Sequence, residues 1–295
     1  MLFFSSYMGC VGNTEASRKR ANDLAEKIGS NHMSCDFDEI YNELYVWMKE
    51  HFDFFPQYMS NGGTKGEDDL LGGMKSRCRM ILSYLIAQLL PTVNKNKGYL
   101  LVLGSTNVDE SLLGYYTKYD CTSCDLSPIG ALNKKYIQNI LLWFAENLKW
   151  QEIADICNTP ASNELRPLVD GLPQDDEIDL ELTYEQVEVI SKFRNDRLCG
   201  PFSLFDGLSE WWPEMDLNFL YHIIKKFFKQ YADNRHKAQV MTPQLFMSYH
   251  SCDPARFDKR PVLYHDFKHQ FAKIDKLKES IELANMTKIH GIIFF

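Results

Sequence analysis

The chain has 295 residues, of which 45% are hydrophobic and 24% are charged, a composition typical of a chain that folds around an apolar core. This length suits one large α/β domain or two smaller domains. The formal net charge of −8 excludes general polyanion binding as the main function, since nucleic-acid affinity depends largely on Lys and Arg. A local basic pocket remains compatible with this charge.

The sequence shows neither a targeting segment nor a membrane span. The N-terminal MLFFSSYMGC lacks a basic region, and the closing IHGIIFF is much shorter than the roughly 20 residues that a span needs. We therefore expect a cytoplasmic protein that binds neither membrane nor nucleic acid. The eight cysteines are scattered and are expected to be free thiols. Cys121 and Cys124 have CxxC spacing, but a structural zinc site needs two further ligands, and none lies nearby.

In chain order, the first elements are a strand and three helices. MLFFSSYMG predicts a buried strand that ends at Gly9, and the next segment predicts a helix over 16–30, capped by Asn13 or Thr14 and ended by Gly29. A second helix is predicted over 37–52. Gly and charged residues predict a loop over 59–71, and a strongly apolar helix follows and stops near Pro91.

The remaining elements continue the alternation and then become irregular. YLLVLG at 99–104 predicts a central parallel strand, and LNKKYIQNILLWFAENL predicts a helix. This alternation favours an α/β fold, an open parallel sheet with helices on both faces. Prolines and an acidic run predict irregular loops with short helices over 150–215, the acidic run at 174–181 being a solvated loop. A last amphipathic helix is predicted over 216–237.

The most informative segment is LVLGSTNVDESLLGYYTKYDCTSCDLSPIG, residues 101–130. A strand that ends in Gly-Ser-Thr brings hydroxyls to the carboxyl edge of the sheet, where ligands bind in open α/β folds. The carboxylates of Asp109 and Glu110 would suit Mg²⁺ there, and Lys118 would suit a phosphate or a carboxylate. The alternative is that Asp109 and Glu110 only begin a helix, whose N-terminus favours negative charge.

Two basic clusters have similar alternatives. Arg77 and Arg79 lie on an apolar helix, where they either bind phosphate or extend their charged ends to solvent. Arg235, His236 and Lys237 follow a helix and form either an anion site or a solvated helix end. The motifs GxGxxG, GxxxxGK[ST], GxSxG and HExxH are absent from the sequence.

The segment LVLGSTNVDESLLGYYTKYDCTSCDLSPIGALNKKYI resembles the signature of the synthetase domain of eukaryotic-type glutamine-dependent NAD⁺ synthetases. Further matching segments keep the order of the family and extend the resemblance over about 3–275. They are YMGCVGNTEASRKRANDLAEKIGS, MKSRCRMILSYLIAQLL, TPASNELRP, QDDEIDLELTYEQ, LCGPFSLF, KKFFKQYADNRHKAQVMTP, RFDKRPVLYHDF and QFAKID. The resemblance divides the chain into a partial synthetase domain over 1–275 and a C-terminal tail over 276–295.

The resemblance implies an ATP pyrophosphatase fold, that is, a Rossmann-like parallel sheet flanked by helices. It also implies a carbon–nitrogen ligase with ATP as substrate and Mg²⁺ as cofactor, and a homo-oligomeric assembly. ATP would adenylate the nicotinate carboxylate of deamido-NAD⁺ and release pyrophosphate. Ammonia would then displace AMP and give NAD⁺. Adenylation is needed because a carboxylate resists attack by ammonia.

The resemblance also assigns site residues position by position. Glu110 corresponds to the magnesium ligand of the family. Three positions correspond to ATP-binding residues: Ser105, Lys134 and Ser162. Five positions correspond to deamido-NAD⁺ contacts: Arg77, Lys118, Asp125, His236 and Lys237.

Two departures from the family pattern bear on activity. The pyrophosphate-binding run Ser-Gly-Gly-x-Asp-Ser does not occur in these 295 residues, and we expect the first strand of the fold to be missing with it. The family's glutaminase domain with its Glu-Lys-Cys triad is also missing, so ammonia would come from outside this chain. Smaller departures are Cys10, where the family usually has Thr, and Gly73, where it usually has Asn. The sequence is therefore interpreted as an N-terminally truncated synthetase domain. The alternative is a non-catalytic relative that binds deamido-NAD⁺ or assembles with full-length subunits.

Overall fold

The computed structural model describes residues 3–242, 244–245 and 266–292, with side chains described through residue 281. Strand β1 (Phe4–Gly9) pairs in parallel with β2 (Asn31–Asp36), from Phe4 opposite Asn31 to Gly9 opposite Asp36. Helix α1 (Glu15–Ile28) connects the two strands. These elements form a parallel β-α-β unit, of which the first strand and the helix were predicted from the sequence. Strand β2 itself was not predicted, because its NHMSCD sequence is polar and its side chains are mostly exposed.

The ends of α1 follow from its capping residues. The Thr14 hydroxyl accepts the backbone N–H of Ser17, and this bond satisfies one of the free donors of the first turn. Gly29 has φ 69° and donates its N–H to the carbonyls of Ala25 and Glu26, which ends the helix. The predicted helix is confirmed, with Thr14 rather than Asn13 as the cap.

Helices α2 (Asp38–Phe52) and α3 (Lys65–Val93) follow, with a 3₁₀ turn at Met59–Asn61 between them. The loop predicted over 59–71 is wrong from Lys65 onward, because Thr64 and Glu67 form a capping box that begins α3 there. Pro91 lies in the last turn, and the helix ends two residues later.

The predicted strand over 99–104 is reduced to a single bridge. Leu103 pairs in parallel with Leu126, and the N–H of Gly104 donates to the Leu126 carbonyl at 2.9 Å. Tyr99 is 80% exposed and Leu101 is 55% exposed. The prediction was wrong in extent because apolar residues form a continuous strand only when the backbone is paired along its length, and the described residues supply one bridge.

In the described residues after Leu103, eight further helices follow. Their bounds are α4 (Val108–Leu113), α5 (Lys134–Leu148), α6 (Gln151–Cys157), α7 (Asp176–Leu180), α8 (Tyr184–Asp196), α9 (Pro201–Trp211), α10 (Leu217–Asn234) and α11 (Lys268–Ile292). A 3₁₀ turn at Arg235–Val240 follows α10. The region 150–215 is thus more helical than predicted, and α10 is followed by another helix.

The main apolar core holds α4 against the helices that follow it. Leu112 and Leu113 of α4 pack in one buried cluster with side chains of α7 to α11, among them Leu204, Phe227 and Ile274. The apolar stripe of α10 contributes seven buried side chains to the fold, so this helix is the centre of the core. Because α4 is anchored at its C-terminal end, its N-terminal residues are fixed in place.

Across the described ranges, no helix is both long and apolar enough to cross a membrane.

Candidate functional site

One cavity of about 770 Å³ lies between α3, α4, the segment 114–122 and the start of the 3₁₀ turn after α10. This volume is in the usual range for a pocket that binds a small molecule. Six of the nine residues predicted from the sequence line it. They are Arg77, Ser105, Glu110, Lys118, His236 and Lys237.

The N-terminus of α4 presents Glu110 to the cavity. Asn107 caps the helix by accepting the N–H of Glu110 at 3.0 Å, and Glu110 Oε2 accepts the N–H of Asn107 at 3.2 Å. This capping box leaves Oε1 free to face Lys134 Nζ, 3.5 Å away. Burial raises the pKa of Glu110, and the nearby ammonium of Lys134 opposes that rise. Glu110 therefore both begins the helix and offers a carboxylate oxygen to the cavity.

The neighbouring Asp109 points away from solvent and has a different role. It is 1% exposed, and its Oδ2 accepts the backbone N–H of Lys134 at 2.8 Å, at the start of α5. Its Oδ1 has no hydrogen-bond partner among the described residues. Burial raises the pKa of Asp109 to about 7, with the N–H of Lys134 as the main opposing influence. Asp109 thus joins α4 to α5, whereas Glu110 is the acid that forms the capping box at the start of α4.

Lys134 lies in the wall behind Glu110. Its Nζ faces Glu110 and also lies 5.2 Å from the centroid of the Tyr184 ring. Asp176, a cavity residue, is 5% exposed. Burial raises the pKa of Asp176, and the charge of Lys134 opposes that rise. An ammonium and two carboxylates therefore share one corner of the site.

One wall of the cavity is built on the segment 114–118 and carries the cationic side chains of Arg77, Lys118 and Lys237. Lys237 Nζ donates to the carbonyls of Gly114 at 2.8 Å and Tyr116 at 2.7 Å, and burial lowers the pKa of this amine. Arg77 Nε donates to the Lys118 carbonyl at 3.2 Å. Arg77 is an exposed residue, and this bond does not use its Nη atoms. The fold thus brings together Arg77 from α3, Lys118 from the segment 114–118 and Lys237 from the turn after α10.

Ser162 lies beside the cavity rather than in its lining. Its hydroxyl accepts the N–H of Glu164 at 3.2 Å, and the adjacent Asn163 is a lining residue. Glu164 has φ 50° and is 8% exposed, and its carboxylate accepts the side chains of Asn13 at 2.7 Å and Thr14 at 3.0 Å. The segment that carries Ser162 is therefore fixed to the N-terminus of α1.

Asp125 lies outside the cavity lining. Its Oδ2 accepts the N–H of Val102 at 2.8 Å and its Oδ1 accepts the Tyr84 hydroxyl at 3.5 Å. Both carboxylate oxygens thus serve local structure, and the contact with deamido-NAD⁺ stays a prediction. Of the CxxC pair, Cys124 packs closely against Gly104, since a side chain at Gly104 would collide with the Cys124 sulfur. Cys121 lines the cavity, and burial raises the pKa of its thiol to about 11.

Four cavity residues that were not predicted from the sequence form a connected polar network. They are Tyr115, Arg166, Asp176 and Asp179. The acidic run at 174–181 was interpreted as a solvated loop, and that is wrong for Asp176, which is buried. The available signal was the sequence DDEIDLELTYEQ: an acid that caps α7, followed by buried leucines, indicates a packed helix.

Comparison with solved structures defines the class of fold. A crystal structure of a glutamine-dependent NAD(+) synthetase from Cytophaga hutchinsonii superposes with a TM-score of 0.70 at 19% identity, over 92% of this chain and 40% of that one. The chain therefore has the fold of the NAD synthetases, the ATP pyrophosphatase class.

Sequence comparison defines the family. The family model described as NAD synthase matches residues 3–199. The chain is 38% identical over 283 residues to the glutamine-dependent NAD(+) synthetase of Oryza sativa subsp. indica and 38% identical over 285 residues to that of Saccharomyces cerevisiae. Both matches cover 95% of this chain but only 38% and 40% of the relatives, so the chain spans about two fifths of their length. The chain belongs to the NAD synthase family.

Proposed function

We propose that this chain carries the deamido-NAD⁺ and metal-binding part of an NAD⁺ synthetase active site, and that its reaction is the ATP-dependent amidation of deamido-NAD⁺. The observation that carries the proposal is the charge arrangement in one cavity. The cationic wall carries Lys118 and Lys237, Glu110 offers a carboxylate to the same cavity, and Lys134 lies behind Glu110. Such a cavity suits two anionic nucleotides.

The chemistry of the proposed reaction has two steps. A carboxylate oxygen of deamido-NAD⁺ attacks the α-phosphorus of ATP, and the bond to pyrophosphate breaks. Ammonia then attacks the acyl carbon, AMP leaves with the bonding electron pair, and the nitrogen loses a proton to give the amide. The cationic wall would orient the substrate carboxylate, and Lys134 would neutralise phosphate charge as it develops.

The donor set at Glu110 fits Mg²⁺. Oε1 of this hard carboxylate faces the cavity corner, with the Lys134 ammonium 3.5 Å away. Mg²⁺ commonly binds one or two carboxylates and completes its shell with water and phosphate oxygens. When bound, the ion would neutralise phosphate charge. Glu110 would hold it, and Lys134 would move its ammonium from Glu110 to the nucleotide phosphates.

The two proposed forms of this function differ in their response to a Ser-Gly-Gly-x-Asp-Ser run, which does not occur in these 295 residues. A synthetase needs that backbone cradle for pyrophosphate, so we expect this chain to bind deamido-NAD⁺ but to form no NAD⁺ without it. A non-catalytic relative would bind deamido-NAD⁺ and stay inactive even when the cradle is supplied. Ammonia would be the nitrogen donor in the first case.

The test is an ammonia-driven synthesis assay on the chain and on a version with the upstream segment of a plant relative fused to its N-terminus. The fused version should form NAD⁺, and Glu110→Gln should abolish synthesis while circular dichroism stays unchanged, because a neutral amide is a poor ligand for Mg²⁺. Glu146→Gln, at an exposed position of α5, is the control. Full activity of Glu110→Gln would refute the metal assignment, and an inactive fused version would favour the non-catalytic relative.

The assembly and location belong to the same proposal. The stripe formed by Ile81, Leu85, Leu89 and Val93 on one face of α3 is 52–63% exposed, and such a face favours pairing with a second copy. We therefore propose a homo-oligomer. The cytoplasmic location, the synthetase domain over 1–275 and the tail over 276–295 are proposed from the sequence alone. Sedimentation of the wild type and of Leu85→Glu tests the assembly: an unchanged mass would exclude this stripe.

A further inference from the structure

The hydroxyl of Tyr115 is the centre of a polar network on the cavity wall. It donates to Asp179 Oδ2 at 2.9 Å, and Asp176 Oδ1 lies 3.3 Å away. It accepts from Gln174 Nε2 at 3.1 Å and from Asn163 Nδ2 at 3.4 Å. One hydroxyl therefore joins four side chains from the segment 163–179.

This network fixes the segment 114–118, because Tyr115 is part of it. Lys237 donates to the carbonyls of Gly114 and Tyr116, the residues on each side of Tyr115. Arg77 donates to the carbonyl of Lys118, three residues further. The segment is thus held both through the side chain of Tyr115 and through its backbone carbonyls.

The other end of the network is anchored in α3. Arg166 Nη1 donates to Asp179 Oδ1 at 2.6 Å, and Arg166 Nε donates to Asp68, whose side chain is 2% exposed. A buried carboxylate paired with a guanidinium is costly to move, since separation leaves a charge without a partner. Tyr115 is therefore tied through Asp179 to a rigid part of the fold.

We propose that Tyr115 is a positioning residue for the deamido-NAD⁺ site, whose hydroxyl, through Asp176 and Asp179, fixes the segment 114–118 and with it the side chain of Lys118. This inference rests on the proposed function, since it assigns a task to a residue of that same cavity. The Tyr115 ring packs against the main core, so the ring and the hydroxyl have separable roles. Phe at this position keeps the packing and removes the four contacts.

Tyr115→Phe in the full chain tests the proposal by calorimetric titration with deamido-NAD⁺. The dissociation constant should rise about tenfold, because binding must then also order the segment 114–118, which the hydroxyl no longer holds. Tyr221→Phe is the control, because Tyr221 of α10 packs against Phe271 of α11 and lies outside the cavity lining. Both variants lose one tyrosine hydroxyl and keep the ring, but only Tyr115→Phe should lose affinity. Equal affinity of the wild type and Tyr115→Phe would overturn the proposal.

A double-mutant cycle tests whether Tyr115 acts through Asp179. Asp179→Asn should weaken deamido-NAD⁺ binding, and the double variant should bind no worse than about twofold below the weaker single variant, since coupled residues are not additive. Multiplicative losses would show that Tyr115 acts by another route and would overturn the assignment.

Hydrogen exchange separates failure of this inference from failure of the proposed function. Amides over 114–120 should exchange faster in Tyr115→Phe than in the wild type or Tyr221→Phe, with no ligand present. A wild type that binds no deamido-NAD⁺ would refute the proposed function, and the exchange result would still decide whether Tyr115 fixes the segment. Unchanged exchange there would refute the positioning role.

Discussion

Replacement of the buried Asp109 with Asn should make the protein more stable at neutral and higher pH. The carboxylate is 1% exposed, accepts one N–H from Lys134 and leaves Oδ1 without a described partner. An Asn side chain keeps an oxygen for the Lys134 N–H and carries no charge. The substitution therefore retains the contact between α4 and α5 and removes the cost of burying an ionised group.

The magnitude follows from the pKa. Burial raises the pKa of Asp109 from 3.8 to about 7, so between these values the folded state binds more protons than the unfolded state. The stabilisation from the neutral form is complete below the unfolded pKa and is lost as the pH rises through the folded pKa. A shift of this size lowers the free energy of unfolding by about 4 kcal/mol once the pH is above the folded pKa. Asp109→Asn has no ionisable group at this position, so its free energy of unfolding does not fall in this way.

Urea unfolding between pH 4 and 8 measures the effect. The free energy of unfolding of Asp109→Asn minus that of the wild type should be near zero at pH 4 and should rise to about 4 kcal/mol at pH 8. Asp196→Asn, at the exposed end of α8, is the control and should show no such rise. A difference that does not depend on pH, or a variant less stable than the wild type at pH 8, would refute the reasoning.

Three further substitutions test the packing around the cavity by urea unfolding. Arg166→Met should lower the free energy of unfolding by about 3 kcal/mol, because Asp68 is left buried without its guanidinium, and a loss below 1 kcal/mol would show that water replaces the pair. Thr64→Ala should cost about 1 kcal/mol through loss of the capping box, and no loss would mean that α3 does not begin there. Phe227→Ala should cost about 3–5 kcal/mol, since Phe227 is fully buried, whereas a cost near that of a surface residue would place it outside the core.

The elements that the sequence predicted well have local causes. Thr14 and Gly29 define the ends of α1 through bonds within a few residues, and the apolar stripe of α10 is visible from its spacing alone. The error at the start of α3 was of a different kind. Gly62, Gly63 and Gly66 suggested a loop, although the capping pair of Thr64 and Glu67 carried the stronger local signal.

The polar residues of the cavity show where sequence reasoning stops. Glu110 and Lys118 were found because they stand in one continuous segment that resembles a known family. Tyr115 and Asp179 were missed because 64 residues separate their hydrogen-bonded side chains, and only the fold brings them together. The separate roles of Asp109 and Glu110 also depend on the fold, since adjacent positions on α4 point to the core and to the cavity.

The most direct test of the account is a calorimetric titration of the chain with deamido-NAD⁺, repeated with Lys118→Met and with Lys276→Met. Lys118 lines the cavity, whereas Lys276 is an exposed residue of α11, so the two variants remove the same charge from different places. The account predicts binding by the wild type and by Lys276→Met, and an affinity at least about tenfold weaker for Lys118→Met. No binding by the wild type, or equal affinity of both variants, would contradict the assignment of this cavity to deamido-NAD⁺.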